Sequence, residues 1–156
     1  MFVCHGNICR SPMAEFIMRE LLSRRGITGV TVASSATSTE EIWNGVGSPI
    51  YPPAAAQLEK NKIPYTRRRA VLLTSADYGS YDIFVGMDSA NLRNMRRIFG
   101  GDPDGKIRGL MEFTDRGGEV SDPWYTRCFD KAYADIYDGC VGLVDELEKK
   151  DLRSKI

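Results

Sequence analysis

The segment Val3-Cys4-His5-Gly6-Asn7-Ile8-Cys9-Arg10-Ser11-Pro12 sets a cysteine and an arginine at the two ends of a short loop that contains glycine and asparagine. From these residues a chain builds an anion cradle with a thiolate at its floor. The thiolate is the nucleophilic form of cysteine, and positive surroundings favour it. Arg10 brings a planar fork that matches two oxygens of a phosphate group. Gly6 and Asn7 tolerate the positive φ that turns successive backbone N–H groups inward as a nest. Taken singly, Cys4 reads as a small packed residue and Arg10 as a solvated charge. Their register between an apolar strand and a helix start makes the pair specific.

The elements around the loop have to hold it there. Met1 to Cys4 reads as a first strand, and Ser11 to about Arg25 as a helix of apolar spacing stopped by Gly26, with Ser11 as its cap and Pro12 in its first turn. The unpartnered N–H groups and dipole of that helix start favour an anion. Further along, Gly29–Ala33 is expected as a second strand, residues 34–53 as a long loop, and Ala54–Lys60 as a short helix. Asp82–Met87 reads as a buried strand, with Asp88 capping a helix through Arg97 that Gly100-Gly101 ends. Lys106–Leu110 is expected as the fourth strand, Met111–Tyr125 as a loop, and Arg127–Lys149 as a final helix carrying Cys128 and Cys140. Alternation of this kind predicts an α/β fold, an open parallel sheet with helices on both faces and its ligand at the carboxyl ends of the strands. The run Arg67-Arg68-Arg69 reads as solvated surface.

The string VCHGNICRSP resembles the phosphate-binding signature of the low-molecular-weight protein tyrosine phosphatases, and Ser121-Asp122-Pro123-Trp124-Tyr125 is similar to that family's Asp-Pro plus aromatic segment. Weaker matches at Ser34–Ser38, Tyr81–Ile83 and Met87–Leu92 extend the likeness over nearly the whole chain, as one domain spanning 1–156. The resemblance implies a four-stranded sheet of order 2-1-3-4. It implies hydrolysis of phosphotyrosine through a cysteinyl-phosphate, with Cys4 as nucleophile, residues His5 to Ser11 around the phosphate, and Asp122 as general acid and then base. Trp124 and Tyr125, with Trp43 as a third wall, are expected to form a slot deep enough for a phenyl ring. In the family the second loop cysteine, here Cys9, is thought to shield the nucleophile as a disulfide. Phosphotyrosine-containing proteins are the implied substrates, and phosphate and related oxyanions the implied inhibitors.

With 156 residues, 42% of them hydrophobic, the chain has material for one substantial core. Lys plus Arg equals Asp plus Glu at 21 each, which points away from nucleic acid and membrane surfaces as partners. No apolar run approaches membrane-spanning length and no leader pattern is present, so a cytoplasmic location is expected; separately, a monomer is expected. The four cysteines, Cys4, Cys9, Cys128 and Cys140, fit no metal-ligand spacing, and His5 is the single histidine, so no metal or other cofactor is expected.

Two departures from the family pattern bear on the loop. The first strand starts only three residues before Cys4, which predicts a weakly held edge. Arg68, Ala70 and Val71 stand where the family usually carries His and then Ala-Arg. Arginine cannot accept a hydrogen bond, so a looser brace between Ser34, this segment and Asn7 is expected, with lower activity. Two relatives in reaction class stay open: a protein arginine phosphatase, which tends to carry Thr where this chain has Ile8, and an arsenate reductase, which needs a cysteine pair that 72–101 lacks. A phosphotyrosine-binding module without turnover is the alternative from another class.

Overall fold

In the computed structural model, which describes residues 1–154, the chain runs β1 (Phe2–Cys4), α1 (Arg10–Arg24), β2 (Ser34–Ala36), β3 (Ile42–Trp43), β4 (Val46–Gly47), α2 (Pro52–Lys60), β5 (Phe84–Gly86), α3 (Ser89–Phe99), β6 (Ile107–Gly109), α4 (Pro123–Thr126) and α5 (Phe129–Ser154). Single 3₁₀ turns cover Ser75–Gly79 and Leu110–Phe113. Of the expected 1–156 domain, residues 155 and 156 lie outside the described residues.

Four strands form a parallel sheet of order β2-β1-β5-β6, which is the expected order 2-1-3-4. Alternation along β1 assigns its two faces. Phe2 and Cys4 pack with α1, α2 and α5, whereas Val3 packs with Phe84, Met95 and Ile107 under α3. Helices thus cover both faces, and the two central strands, β1 and β5, carry no polar residue, as strands buried on both faces require. The predicted weak edge is not found: Met1 O accepts from Val85 N at 2.8 Å and Phe2 N donates to Ala33 O at 2.9 Å, so β1 is central and bonded from its first residue.

The second strand lies later than predicted. Gly29–Ala33 has the β-branched composition, but Ser34–Ala36 carries the pairing, with Phe2 opposite Ser34 and Cys4 opposite Ala36. Val30 is exposed, and the carbonyl of Val32 is taken by Arg19 Nη2 at 2.9 Å. Register decides here over propensity. The expected loop 34–53 therefore holds β2 and also the hairpin β3–β4, whose turn residues Asn44 and Gly45 are both at positive φ, the signature of a primed two-residue turn.

The other boundaries shift less. Asp88 caps α3 as predicted, accepting from Asn91 N at 2.9 Å, and Gly100 closes it at φ 73°. Ser11 is not the cap of α1. The helix begins at Arg10 and Ser11 lies buried within its first turn. α5 starts at Phe129, so Cys128 precedes it and is exposed, while Cys140 is buried within it. Among the described residues no helix is long and apolar enough to cross a membrane.

α5 packs on α1 and on the 3₁₀ turn after β6, and at Gly142 it approaches that turn closely enough to leave no room for a Cβ. A Cβ on Gly142 would lie 1.9 Å from Phe113 O, whereas one on Gly79 would meet nothing within 4 Å. Gly142→Ala is expected to lower the unfolding free energy by about 1–3 kcal/mol through overpacking, and Gly79→Ala to leave it nearly unchanged. Urea denaturation of the two variants checks this, and equal effects would refute the close packing.

Candidate active site

The cleft opens at the carboxyl end of the sheet and is lined by Cys4, the loop after it, Arg10, Tyr51, Asp122, Trp124 and Tyr125, with Glu40 and Glu41 on its rim. Cys4 ends β1, and its Sγ lies 3.0 Å from Ser11 Oγ. Of the two loop residues expected to tolerate positive φ, Asn7 adopts it, at 58°, and Gly6 does not. Gly6 has a different reason to be glycine, since a Cβ there would come within 3.2 Å of Glu41 Cγ.

The loop carbonyls reveal how the cradle is built. Those of Cys4, His5 and Ile8 accept from Thr37 N, Ser38 N and Tyr51 N at 3.0, 3.0 and 2.8 Å. Cys9 O accepts from Met13 N at 3.1 Å, and Asn7 O accepts from Arg68 Nη1. A trans peptide sets its N–H opposite its C=O. With these carbonyls held outside the loop, the N–H groups of His5, Gly6, Ile8, Cys9 and Arg10 turn the other way, as an anion nest.

Asn7 is fully buried and locks this arrangement. Its Nδ2 donates to Ser11 Oγ and Ser34 Oγ, both at 2.9 Å, and its Oδ1 accepts from Val71 N at 3.0 Å and from Arg68 Nη2. The expectation of a looser brace is therefore corrected. What Asn7 presents to this segment is oxygen, which needs donors, and a guanidinium has nothing but donors. Arg68 accordingly leaves the solvated run in which sequence placed it, and Arg69 does so in part, donating to Gly47 O at 3.0 Å.

Arg10 is 3% exposed. Its Nη1 donates to Asp88 Oδ2 and to Val120 O, both at 2.8 Å, which uses both protons on that nitrogen. The Nε–Nη2 edge is left for a ligand, with Asp122 Oδ2 3.4 Å from Nη2. Burial opposes the charge on Arg10, but Cys4 and the carboxylates of Asp88 and Asp122 outweigh it and raise its pKa above the ordinary value. Burial likewise pushes the Cys9 thiol up, with the Cys4 charge adding to the effect. The site thus holds, beside Cys4 with its Ser11 contact, a second thiol, Cys9, in a setting that keeps it protonated.

Asp122 caps α4, accepting from Trp124 N at 3.0 Å, so its carboxylate is aimed by the short helix that carries the aromatic wall. Trp124 packs against Tyr51 with ring centroids 5.2 Å apart, and Tyr125 stands at the rim, 83% exposed. Trp43 does not line the cleft. It sits on the β3–β4 hairpin, 75% exposed, and Tyr51 takes the place of the expected third wall. His5 is exposed at the mouth, its Nε2 2.9 Å from Glu40 Oε2.

Sequence reading missed Asp88 as the anchor of Arg10, Tyr51 as a wall, and Glu40 and Glu41 at the mouth. Asp88 carried a usable signal, because a cap directly after a central strand stands at the ligand edge of a parallel sheet. The others depend on how the connection from β2 to α2 folds back, which no local pattern specifies.

The family model for low molecular weight phosphotyrosine protein phosphatase matches residues 1–153. A low molecular weight protein-tyrosine-phosphatase PtpA of Staphylococcus haemolyticus is 38% identical over 151 residues, covering 95% of this chain and 92% of that protein. The fold is similar to the crystal structure of YfkJ from Bacillus subtilis, with TM-score 0.89, 29% identity, and coverage of 96% of this chain and 93% of the other. It is also similar to SP-PTP, a low molecular weight protein tyrosine phosphatase from Streptococcus pyogenes, with TM-score 0.81, 35% identity, and coverage of 94% and 90%. The chain belongs to the low molecular weight phosphotyrosine protein phosphatase family.

Proposed function

We propose that this protein hydrolyses phosphotyrosine in protein substrates, and small aryl phosphates, through a cysteinyl-phosphate on Cys4. The observation that carries the reading is the convergence on one cleft of Cys4 Sγ beside Ser11 Oγ, the free Nε–Nη2 edge of Arg10, and the Asp122 carboxylate. The phosphate oxygens sit in the nest of loop N–H groups and on the Arg10 fork, where charge developing in the transition state meets preorganised donors. Cys4 Sγ attacks phosphorus in line, forming the S–P bond as the ester O–P bond breaks. Asp122 gives its proton to the departing phenolic oxygen.

In the second half, water attacks phosphorus and Asp122 takes its proton. The S–P bond breaks, inorganic phosphate forms, and the returning thiolate keeps the hydrogen bond from Ser11. Before substrate enters, Arg10 Nη2 lies 3.4 Å from Asp122 Oδ2, and exchange of that long contact for a phosphate oxygen releases the acid to the leaving group. The Tyr51–Trp124 wall and Tyr125 favour an aromatic leaving group over the short side chain of phosphoserine. The expected cytoplasmic location and monomeric state belong to the same reading, as does a protective Cys4–Cys9 disulfide.

Initial rates without added metal on phosphotyrosine, phosphoserine and phosphoarginine peptides test it. The expected result is turnover of phosphotyrosine, abolished in Cys4→Ser. Asp122→Asn is expected to lower kcat by about 100- to 10,000-fold, and by much less on p-nitrophenyl phosphate, whose leaving group needs no proton. Turnover of phosphoarginine instead would move the substrate class, and tight binding of phosphotyrosine without turnover would replace the enzyme with a binding module.

Trp124→Ala is expected to raise KM for phosphotyrosine more than for a small alkyl phosphate, and Trp43→Ala to change neither. Paired KM measurements decide between Trp124 and Trp43 as the wall.

A further inference from the structure

Arg68 lies outside the reaction cleft. It lines a groove on the reverse of the phosphate loop, with Glu15, Ser34, Ser35 and Val71. It reaches Asn7 by two nitrogens, Nη1 on the backbone oxygen and Nη2 on Oδ1. Four of the five held loop carbonyls are bonded by backbone N–H groups, which no side-chain substitution can remove. Asn7 O is the exception, and its peptide carries the N–H of Ile8 toward the cradle.

The charge of Arg68 is also unanswered locally. It forms no ion pair among the described residues, and Glu15, whose charge acts on it, is already paired with Arg19 at 3.2 Å. A partly buried cation without a carboxylate partner sits directly behind a loop built to receive an anion. Burial holds its pKa below the ordinary value for arginine, with Glu15 and Cys4 opposing that, yet arginine stays protonated at any working pH.

We propose that Arg68 is a positioning residue of the phosphatase reaction, clamping Asn7 from behind so that the loop N–H groups point at phosphate, and supplying a second cation to the bound anion. The inference rests on the reading of the cleft as a phosphate site. A neutral imidazole has one N–H donor and one acceptor nitrogen, whereas the two oxygens of Asn7 call for two donors side by side. The guanidinium fork supplies both at once, and its charge does not titrate away.

The test is binding of inorganic phosphate by calorimetry to Cys4→Ser protein carrying Arg68→Met, Arg68→Gln or Arg68→Lys, alongside kcat and KM of the same Arg68 variants with Cys4 intact. Exposed Arg67→Met serves as control. Arg68→Met is expected to weaken phosphate binding about tenfold, the size of a lost charged hydrogen bond, with kcat/KM falling at least as far. Arg68→Lys recovers part of both, Arg68→Gln recovers less, and Arg67→Met changes neither.

A merely structural role gives a different pattern. Arg68→Met would then lose activity only as far as Gly142→Ala of matched melting temperature does, and lysine would restore stability without restoring phosphate affinity. That result overturns the proposal, as does phosphate affinity within twofold of the parent in Arg68→Met. Should Arg68→Met not fold, the Lys and Gln variants carry the comparison. If the parent protein neither binds phosphate nor turns over phosphotyrosine, the reading of the cleft itself fails, an outcome distinct from an active parent indifferent to Arg68.

Discussion

The structure depends on the side-chain amide of Asn7. It is buried, its backbone is in the left-handed region, and its four side-chain bonds reach three separate parts of the chain: Ser11 on α1, Ser34 on β2, and Val71 and Arg68 on the segment beyond α2. A buried amide left unsatisfied costs roughly 1–3 kcal/mol for each group. Asn7 therefore requires those elements in their present places, and they in turn hold it in a conformation that asparagine enters only at some cost. Folding the sheet and shaping the phosphate loop become one event.

Arg10 makes the second knot, at the same edge of the sheet. Through Asp88 it is tied to the end of β5 and the start of α3, through Val120 O to the chain beyond β6, and through its own helix to the loop. Val120 is itself bonded to Met87 O at 2.9 Å, so the segment leading to Asp122 is laid along the end of the central strand. The carboxylate of Asp88 has two tasks, one oxygen capping α3 and the other holding the guanidinium. That division explains why the fork keeps one edge free. Its inner nitrogen is fully bonded to protein, and only the outer edge can answer an incoming oxyanion.

The parts legible in sequence were those with short-range chemistry. Cys4, Arg10 and the loop between them lie within seven consecutive residues, and Asp122-Pro123 carries its own turn signal, so these residues could be read directly, whereas the strand order came only with the resemblance they carry. Features set by register were not. Gly29–Ala33 has the better strand composition, yet Ser34–Ala36 pairs with β1 because that placement brings Ser34 Oγ to Asn7. The Asn44-Gly45 turn did carry a hairpin signal, hidden among prolines and glycines that read as loop. Arg68 was illegible for a deeper reason: three consecutive arginines look alike in sequence, and only the fold decides which of them meets an acceptor.

The two halves of the cleft differ in how they are held. Its floor is made of buried groups held by α1, β2, the segment beyond α2 and the chain following β5 and β6, so its loop donors are in place before an anion arrives. Asp122, Trp124 and Tyr125 sit instead at the start of and on α4, a helix of four residues whose Trp124, Tyr125 and Thr126 are exposed. Helices this short have little stability of their own, and α4 is fixed chiefly by the Asp122 cap, the Tyr51–Trp124 contact and Arg127 stacked on Trp124 at 5.6 Å. On the proposed reading of the cleft, phosphate recognition is thus built into the fold, whereas recognition of the group that carries the phosphate rests on surface contacts. Substitutions at Tyr51, Trp124, Tyr125 or the Glu40–Glu41 rim can change which phosphoester is accepted while leaving the cradle intact, and substitutions around Asn7 cannot change the cradle without disturbing the sheet.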